Sequence, residues 1–195
     1  MNSRVVADPL RALDCSLWSD GGAAVVVVAA ERAKNFPNKP VFFLGCGEAH
    51  WHEHFFQARS LTTTAASESG PRALEMAELS LSDMDFAQVY DCFTPVVLME
   101  LEDLGFCAKG EGGGFVENGN IELGGTLPVN THGGLLSHSH TGHPGSMFAL
   151  TEAVTQLRGD GGARQVQGAE VGLVHGQGGV LSSHATLILG SEAAL

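Results

Sequence analysis

Apolar residues along the chain fall into short runs of two kinds. Val25 to Val28, within "AAVVVVAA", offers no polar face, so it predicts a strand from about Ala23 to Ala29 that expects cover on both sides. "VFFLGCGEA", Val41 to Ala49, is a second strand of the same buried type. Between them "ERAKNFPNKP" carries two prolines and exposed charge, the composition of a linker. Beyond an irregular stretch, "GPRALEMAEL" predicts a helix from Pro71 to about Leu79, with Pro71 in its first turn. Ala87 to Tyr90 reads as a short strand and Thr94 to Leu104 as a helix, entered through Pro95 where a missing amide donor costs nothing. Residues 105–129 hold eight glycines in twenty-five positions. A helix is disfavoured there, since each internal Gly costs about 1 kcal/mol relative to Ala. In "SMFALTEAVTQL", Met147, Leu150, Val154 and Leu157 recur at three- and four-residue steps, the signature of an amphipathic helix. "AEVGLVHGQGG" and "HATLILG" are two strands around a glycine turn, an antiparallel hairpin.

The order over residues 41–195, β-α-β-α-glycine loops-α-β-β, predicts an α/β domain with a mixed sheet covered by helices. Residues 1–30 add a buried-type strand without helices of their own. That strand implies either a missing portion of the protein or a partner that covers it.

Length and charge narrow the function. At 195 residues the chain can build one well-filled core, or one core and a piece of another. Ten Lys and Arg against 22 Asp and Glu leave a formal charge of -12, which opposes binding to a nucleic-acid backbone or an anionic membrane. An acyl-CoA would need local positive groups. Cys15, Cys46, Cys92 and Cys107 are widely separated and lack CxxC spacing, which reads as a reduced, cytoplasmic chain without disulfides or a zinc knuckle. The valine run is far shorter than the roughly 20 residues of a membrane span. No basic region leads into it, so no signal peptide is expected.

The candidate chemistry lies in three stretches. "NTHGGLLSHSHTGHPG", Asn130 to Gly145, brings His132, His138, His140 and His143 together. Four ligands from one glycine-rich loop suit tetrahedral zinc poorly, and neither HExxH nor HxxEH occurs, so no metal is expected. The alternative is one acid/base imidazole. Gly133 and Gly134 would then let the backbone pass close to a bound ligand or cofactor, and Gly145 would free amide donors at a helix start. The plainer reading is an exposed loop with independently titrating histidines. In "VYDCFTP", Tyr90 is the single tyrosine and stands at a strand end, where α/β sheets place ligands. Its phenol could donate to an enolate oxygen or simply cap the sheet. Asp91 could cap the next helix and Cys92 could be core. In "LVHGQGG", His175 is expected at a strand end facing the same cleft, or else is a satisfied structural histidine. "HWHEH" reads as loop surface.

The ordered set "VADPLRALDCSLWSDGGAAVVV", "VYDCF", "NTHGGLLSHSH" and "HGQGG" resembles the carboxy-terminal half of the thiolase superfamily. Within it, the set is most similar to the sterol-carrier-protein-type thiolases and the thiolase-like aldolases of steroid side-chain degradation. The resemblance covers nearly the whole chain. It implies a βαβαβαββ domain at 41–195, a linker at 31–40 and, at 1–30, the last strand of a missing amino-terminal domain. It further implies an acyl-CoA thioester as substrate with no tightly bound cofactor. The chain would form a homodimer or a complex with that amino-terminal half, which carries the family's nucleophilic cysteine. Counted from Asn130, the family's GHP histidine falls on His140, although the literal "GHP" at 142–144 offers His143; His140 is preferred. The family's Asn or His of "NEAF" or "HDCF" falls on Tyr90, and the CxG cysteine is missing, with His175 near its place. These departures imply retro-aldol cleavage of a β-hydroxyacyl-CoA, or acyl transfer, with Tyr90, His140 and His175 as catalytic residues. They also imply a partner with an OB-fold domain of the DUF35 type. The alternative is a catalytically silent, thiolase-like scaffold.

Overall fold

The computed structural model describes residues 3–195. A small hairpin, β1 (Val5–Ala7) and β2 (Leu10–Arg11), precedes the main body. The body follows the order β3 (Phe42–His50), α1 (Ala66–Ala77), β4 (Phe86–Gln88), α2 (Thr94–Leu104), α3 (Gly112–Val116), α4 (Gly145–Arg158), β5 (Val171–Gly178) and β6 (Ser183–Gly190). The strands form one mixed sheet in the order β3-β6-β5-β4. β5 and β6 make the expected antiparallel hairpin, running from Val171 opposite Gly190 to Gly178 opposite Ser183, while β4 lies parallel to β5. A single parallel bridge between Ala87 and Val129 widens the sheet beyond β4.

Both faces of the sheet are covered at β4 and β5, which is why those strands lack polar alternation, whereas β3 alternates between buried and more exposed positions. On one face Leu173, Ile188 and Val89 pack with Ala66 and Ala73 of α1 and Leu101 and Leu104 of α2. On the other, Phe86, Val174 and Leu189 pack with Ala149, Ala153 and Leu157 of α4. At Gly47 the backbone of α1 lies directly on β3. A Cβ there would meet the Ser69 carbonyl and would stand 2.9 Å from the Ala73 nitrogen.

The helices at 94–104 and 145–158 match the apolar periodicity closely. Helix α1 does not: it begins at Ala66, so Pro71 lies inside it rather than in its first turn. Its start is set by a distant contact. The Thr64 hydroxyl accepts the Ala66 amide at 3.2 Å, and the Thr64 amide and hydroxyl both donate to Asp103 of α2, at 2.6 and 2.9 Å. The expected valine strand also fails to form. Residues 23–29 pair with no strand among the described residues, and Val26 and Val27 are 82% and 86% exposed. A strand needs a partner for its backbone groups, and this sheet offers residues 23–29 none. No helix of the described residues is long and apolar enough to cross a membrane.

Candidate active site

Beyond the end of β4 the chain crosses a short strap, Val89 to Phe93, held from three sides. The Val89 amide donates to the side-chain carbonyl of Asn130 at 2.8 Å, and the Tyr90 amide donates to Glu100 Oε2 at 2.9 Å. Asp91 reaches into the glycine loop, where Oδ1 accepts the Leu135 amide at 2.7 Å. Asp91 therefore ties two loops together and does not cap α2, whose N-cap position is Phe93. Gly134 makes this possible. It adopts φ 65° and ψ -169°, and the Asp91 carboxylate occupies the space a Cβ would take. The close approach at Gly134 is thus to Asp91, and a Cβ at Gly133 would meet the Ser137 side chain.

The same loop delivers His140 to the strap. Its imidazole lies edge-to-face with the Tyr90 ring, centroids 6.3 Å apart and planes at 80°. The amino-terminal segment closes the group from the third side. Ser16 donates its amide to the Cys92 carbonyl at 3.0 Å and places its hydroxyl 2.7 Å from His140 Nδ1. Ser19 holds the loop backbone through the His138 and His140 carbonyls, at 2.6 and 3.2 Å. Trp18 packs its ring 5.6 Å from that of His140. With Nδ1 engaged by Ser16, Nε2 is the His140 nitrogen left for a ligand.

Burial sets the chemistry of the strap. It pushes the Tyr90 phenol up to about 12, helped by the negative charge of nearby Cys92, Glu100 and Asp91 when ionised. The Cys92 thiol is likewise pushed up to about 12, chiefly by burial, and receives a contact from Gln177 Nε2 at 3.5 Å. At neutral pH Tyr90 is therefore a donor, and Cys92 is no thiolate.

The other histidines separate from this group. His143 is exposed, while His138 bonds to the His132 carbonyl and packs on the His132 ring. The three accompany His140 in the loop without joining Tyr90. His175 is placed mid-strand on β5 rather than at a strand end, and is fully buried. Its partners are Thr186 Oγ1 at 2.8 Å, His184 Nδ1 at 3.0 Å and Glu100 Oε1 at 3.9 Å. Among the described residues, Glu100, His175 and His184 are the set whose ligand atoms lie within 4.8 Å of one another, and the loop histidines form no such set. In "HWHEH", His50 and His52 bond to Ser183 and Val180 beside the β5–β6 turn. Sequence reading missed Ser16 and Trp18. Ser16 lies 124 positions from His140, so no local spacing could signal the contact.

Residues 47–191 match the family described as thiolase C-terminal domain-like. This chain belongs to the thiolase superfamily. It is 42% identical over 180 residues to an acetyl-CoA acetyltransferase of Methanothermobacter thermautotrophicus, covering 92% of this chain and 47% of that protein. It is 40% identical over 163 residues to a steroid side-chain-cleaving aldolase of Thermomonospora curvata, covering 81% of this chain and 41% of the relative. The solved structure titled Ltp2-ChsH2(DUF35) aldolase superposes with a TM-score of 0.89 at 37% identity, over 100% of this chain and 50% of that one. The thiolase-family chain thus spans about half the length of the curated relatives it matches. Its mixed sheet and covering helices are the family arrangement expected from the motif order. The thiolase resemblance holds over most of the chain.

Proposed function

We propose that this chain supplies the Tyr90–His140 side of an acyl-CoA carbon–carbon lyase that cleaves a β-hydroxyacyl-CoA by a retro-aldol step. The observation that carries the reading is the edge-to-face contact of a protonated phenol with an imidazole whose Nε2 is available. In the tautomer whose Nδ1–H donates to Ser16, His140 Nε2 acts as base and takes the β-hydroxyl proton. The Cα–Cβ bond then breaks. Its electron pair passes into the thioester as an enolate, and the β-carbon leaves as a carbonyl. Tyr90 donates its hydroxyl hydrogen bond to the enolate oxygen, where charge develops. The imidazolium returns the proton to Cα and releases the shortened acyl-CoA. Elevation of its pKa to about 12 makes Tyr90 a poor base but keeps it a donor throughout neutral pH, which assigns the two roles. The step requires no cofactor besides the CoA thioester of the substrate.

In this reading residues 1–30 are the end of an amino-terminal domain and 31–40 a linker to the carboxy-terminal domain at 41–195. The exposed Val26 and Val27 would pair with the rest of that first domain. The names of the matched aldolases support a steroid side chain as the acyl group and a DUF35-bearing protein as partner.

The test uses the complete protein, co-produced with its DUF35 partner and supplied with a β-hydroxyacyl-CoA. Release of a carbonyl product and a shorter acyl-CoA without added CoA is expected. Cleavage of a 3-oxoacyl-CoA that depends on added CoA would instead show a thiolase, with His140 activating a cysteine of the other half. Turnover of neither substrate would leave a silent scaffold.

A further inference from the structure

Behind the strap three donor atoms converge that the cleavage step does not use. Glu100 of α2, His175 of β5 and His184 of β6 are fully buried, and Glu100 Oε1, His175 Nε2 and His184 Nδ1 lie within 4.8 Å of one another. The strand register brings them together. His175 stands opposite Thr186 and Gln177 opposite His184, so both imidazoles leave the same face of adjacent strands as Leu173 and Ile188, the face that α2 covers. The two imidazole nitrogens are 3.0 Å apart, and Glu100 Oε1 is 3.9 Å from His175 Nε2.

Two of the three groups are oriented from behind. Glu100 Oε2 accepts the Tyr90 amide at 2.9 Å, which leaves Oε1 for the imidazoles. His175 Nδ1 lies 2.8 Å from Thr186 Oγ1, itself 2.9 Å from Ser69 Oγ. A hydrogen-bond partner on the second ring nitrogen is the support by which metal-bound imidazoles present the first. A hydrogen bond between the rings alone satisfies only part of this group. It leaves Glu100 Oε1 buried without a partner, and among the described residues no Lys or Arg pairs with Glu100, since Lys109 engages Glu102 and Asp103 at 3.2 and 2.6 Å. An ion at the centre engages all three atoms at once and supplies the positive charge that a buried carboxylate needs. Tetrahedral zinc with bonds of about 2.0–2.1 Å sets neighbouring ligand atoms about 3.3 Å apart, between the two separations found here. Two imidazoles and one carboxylate suit zinc or a similar transition ion rather than calcium or magnesium, which take shells of oxygen.

We propose that Glu100, His175 and His184 hold one divalent transition ion of the zinc type, which staples α2 to the β5–β6 hairpin behind the Tyr90 strap. In the bound form His175 Nδ1–H donates to Thr186, and the Nε2 lone pair faces the ion. The ion is structural and takes no part in the cleavage step. Its bearing on Tyr90 rests on the retro-aldol reading; its binding does not.

The test uses the complete protein, freed of any affinity tag, and zinc as the probe. Wild type and the surface control His54→Ala are expected to hold about one zinc per chain. Glu100→Gln and His184→Ala are expected to bind zinc about 100-fold more weakly or worse in competition with a chromophoric chelator. Glu100→Gln keeps an oxygen for the Tyr90 amide, so it reports on the site even if His184→Ala fails to fold. X-ray absorption at the zinc edge should show two imidazoles with oxygen and no sulfur. Stripping the metal should lower the thermal midpoint of wild type by about 5 °C or more and leave that of Glu100→Gln unmoved. Protein that holds no zinc and takes none up on dialysis, wild-type affinity in Glu100→Gln, or a sulfur ligand would each overturn the site. Should the enzyme fail to cleave β-hydroxyacyl-CoA, the retro-aldol reading falls and the zinc measurements still decide this proposal.

Discussion

Replacing Tyr90 by Phe in the complete enzyme is expected to lower kcat for β-hydroxyacyl-CoA cleavage by about 10²- to 10³-fold, while KM changes little. In the proposed mechanism the phenol's hydrogen bond strengthens only as charge develops on the thioester oxygen. A Phe ring fills the same half-buried space beside Gly145 and His140, so the fold should be unaffected. Circular dichroism and the thermal midpoint should match wild type, which separates lost donation from lost structure. Unchanged turnover would remove Tyr90 from the mechanism, and a large rise in KM at constant kcat would make it a ground-state binding group.

The largest effect on stability is expected at Gly134. Substitution by Ala puts a Cβ where the Asp91 carboxylate sits and demands φ 65° with ψ -169°, a region essentially closed to other residues. Backbone strain and the loss of the Asp91 contact to Leu135 together should cost on the order of 3–5 kcal/mol. The midpoint of urea denaturation should fall accordingly. Activity should fall with it, because the same loop carries His140. An unaltered midpoint would mean that the loop does not depend on this turn.

Much of the architecture was readable from periodicity alone. Helices α2 and α4 and the β5–β6 hairpin were anticipated to within a residue or two, since each buries a face whose spacing is local. What escaped reading depends on contacts distant in sequence. The start of α1 is fixed by Asp103 through Thr64, and nothing in "TTTAASESG" records that partner. The valine run has the composition of a buried strand, yet composition cannot supply the neighbour to which its amides would bond. At the site, motif order singled out Tyr90 and His140, and the structure places their rings edge-to-face with centroids 6.3 Å apart. Ser16 and Trp18 were not, because they reach His140 from the far amino-terminal segment. His175 stood out in the sequence beside a glycine turn, but the hairpin register runs past it, opposite Thr186, and turns it into the interior. Glu100 sits in an apolar helical stretch as if it were a solvated position. Only the structure shows it beneath the Tyr90 amide.

The central claim is that the phenol and the imidazole serve one bound thioester at the same moment. A double-mutant cycle on the complete enzyme, with Tyr90→Phe, His140→Ala and both together, measures this directly through kcat/KM for β-hydroxyacyl-CoA cleavage. Two groups acting on one transition state should leave the double variant scarcely slower than the slower single variant, a coupling of about 1.4 kcal/mol or more. Losses that simply multiply would show no coupling between the two side chains, contrary to the joint action proposed from their contact.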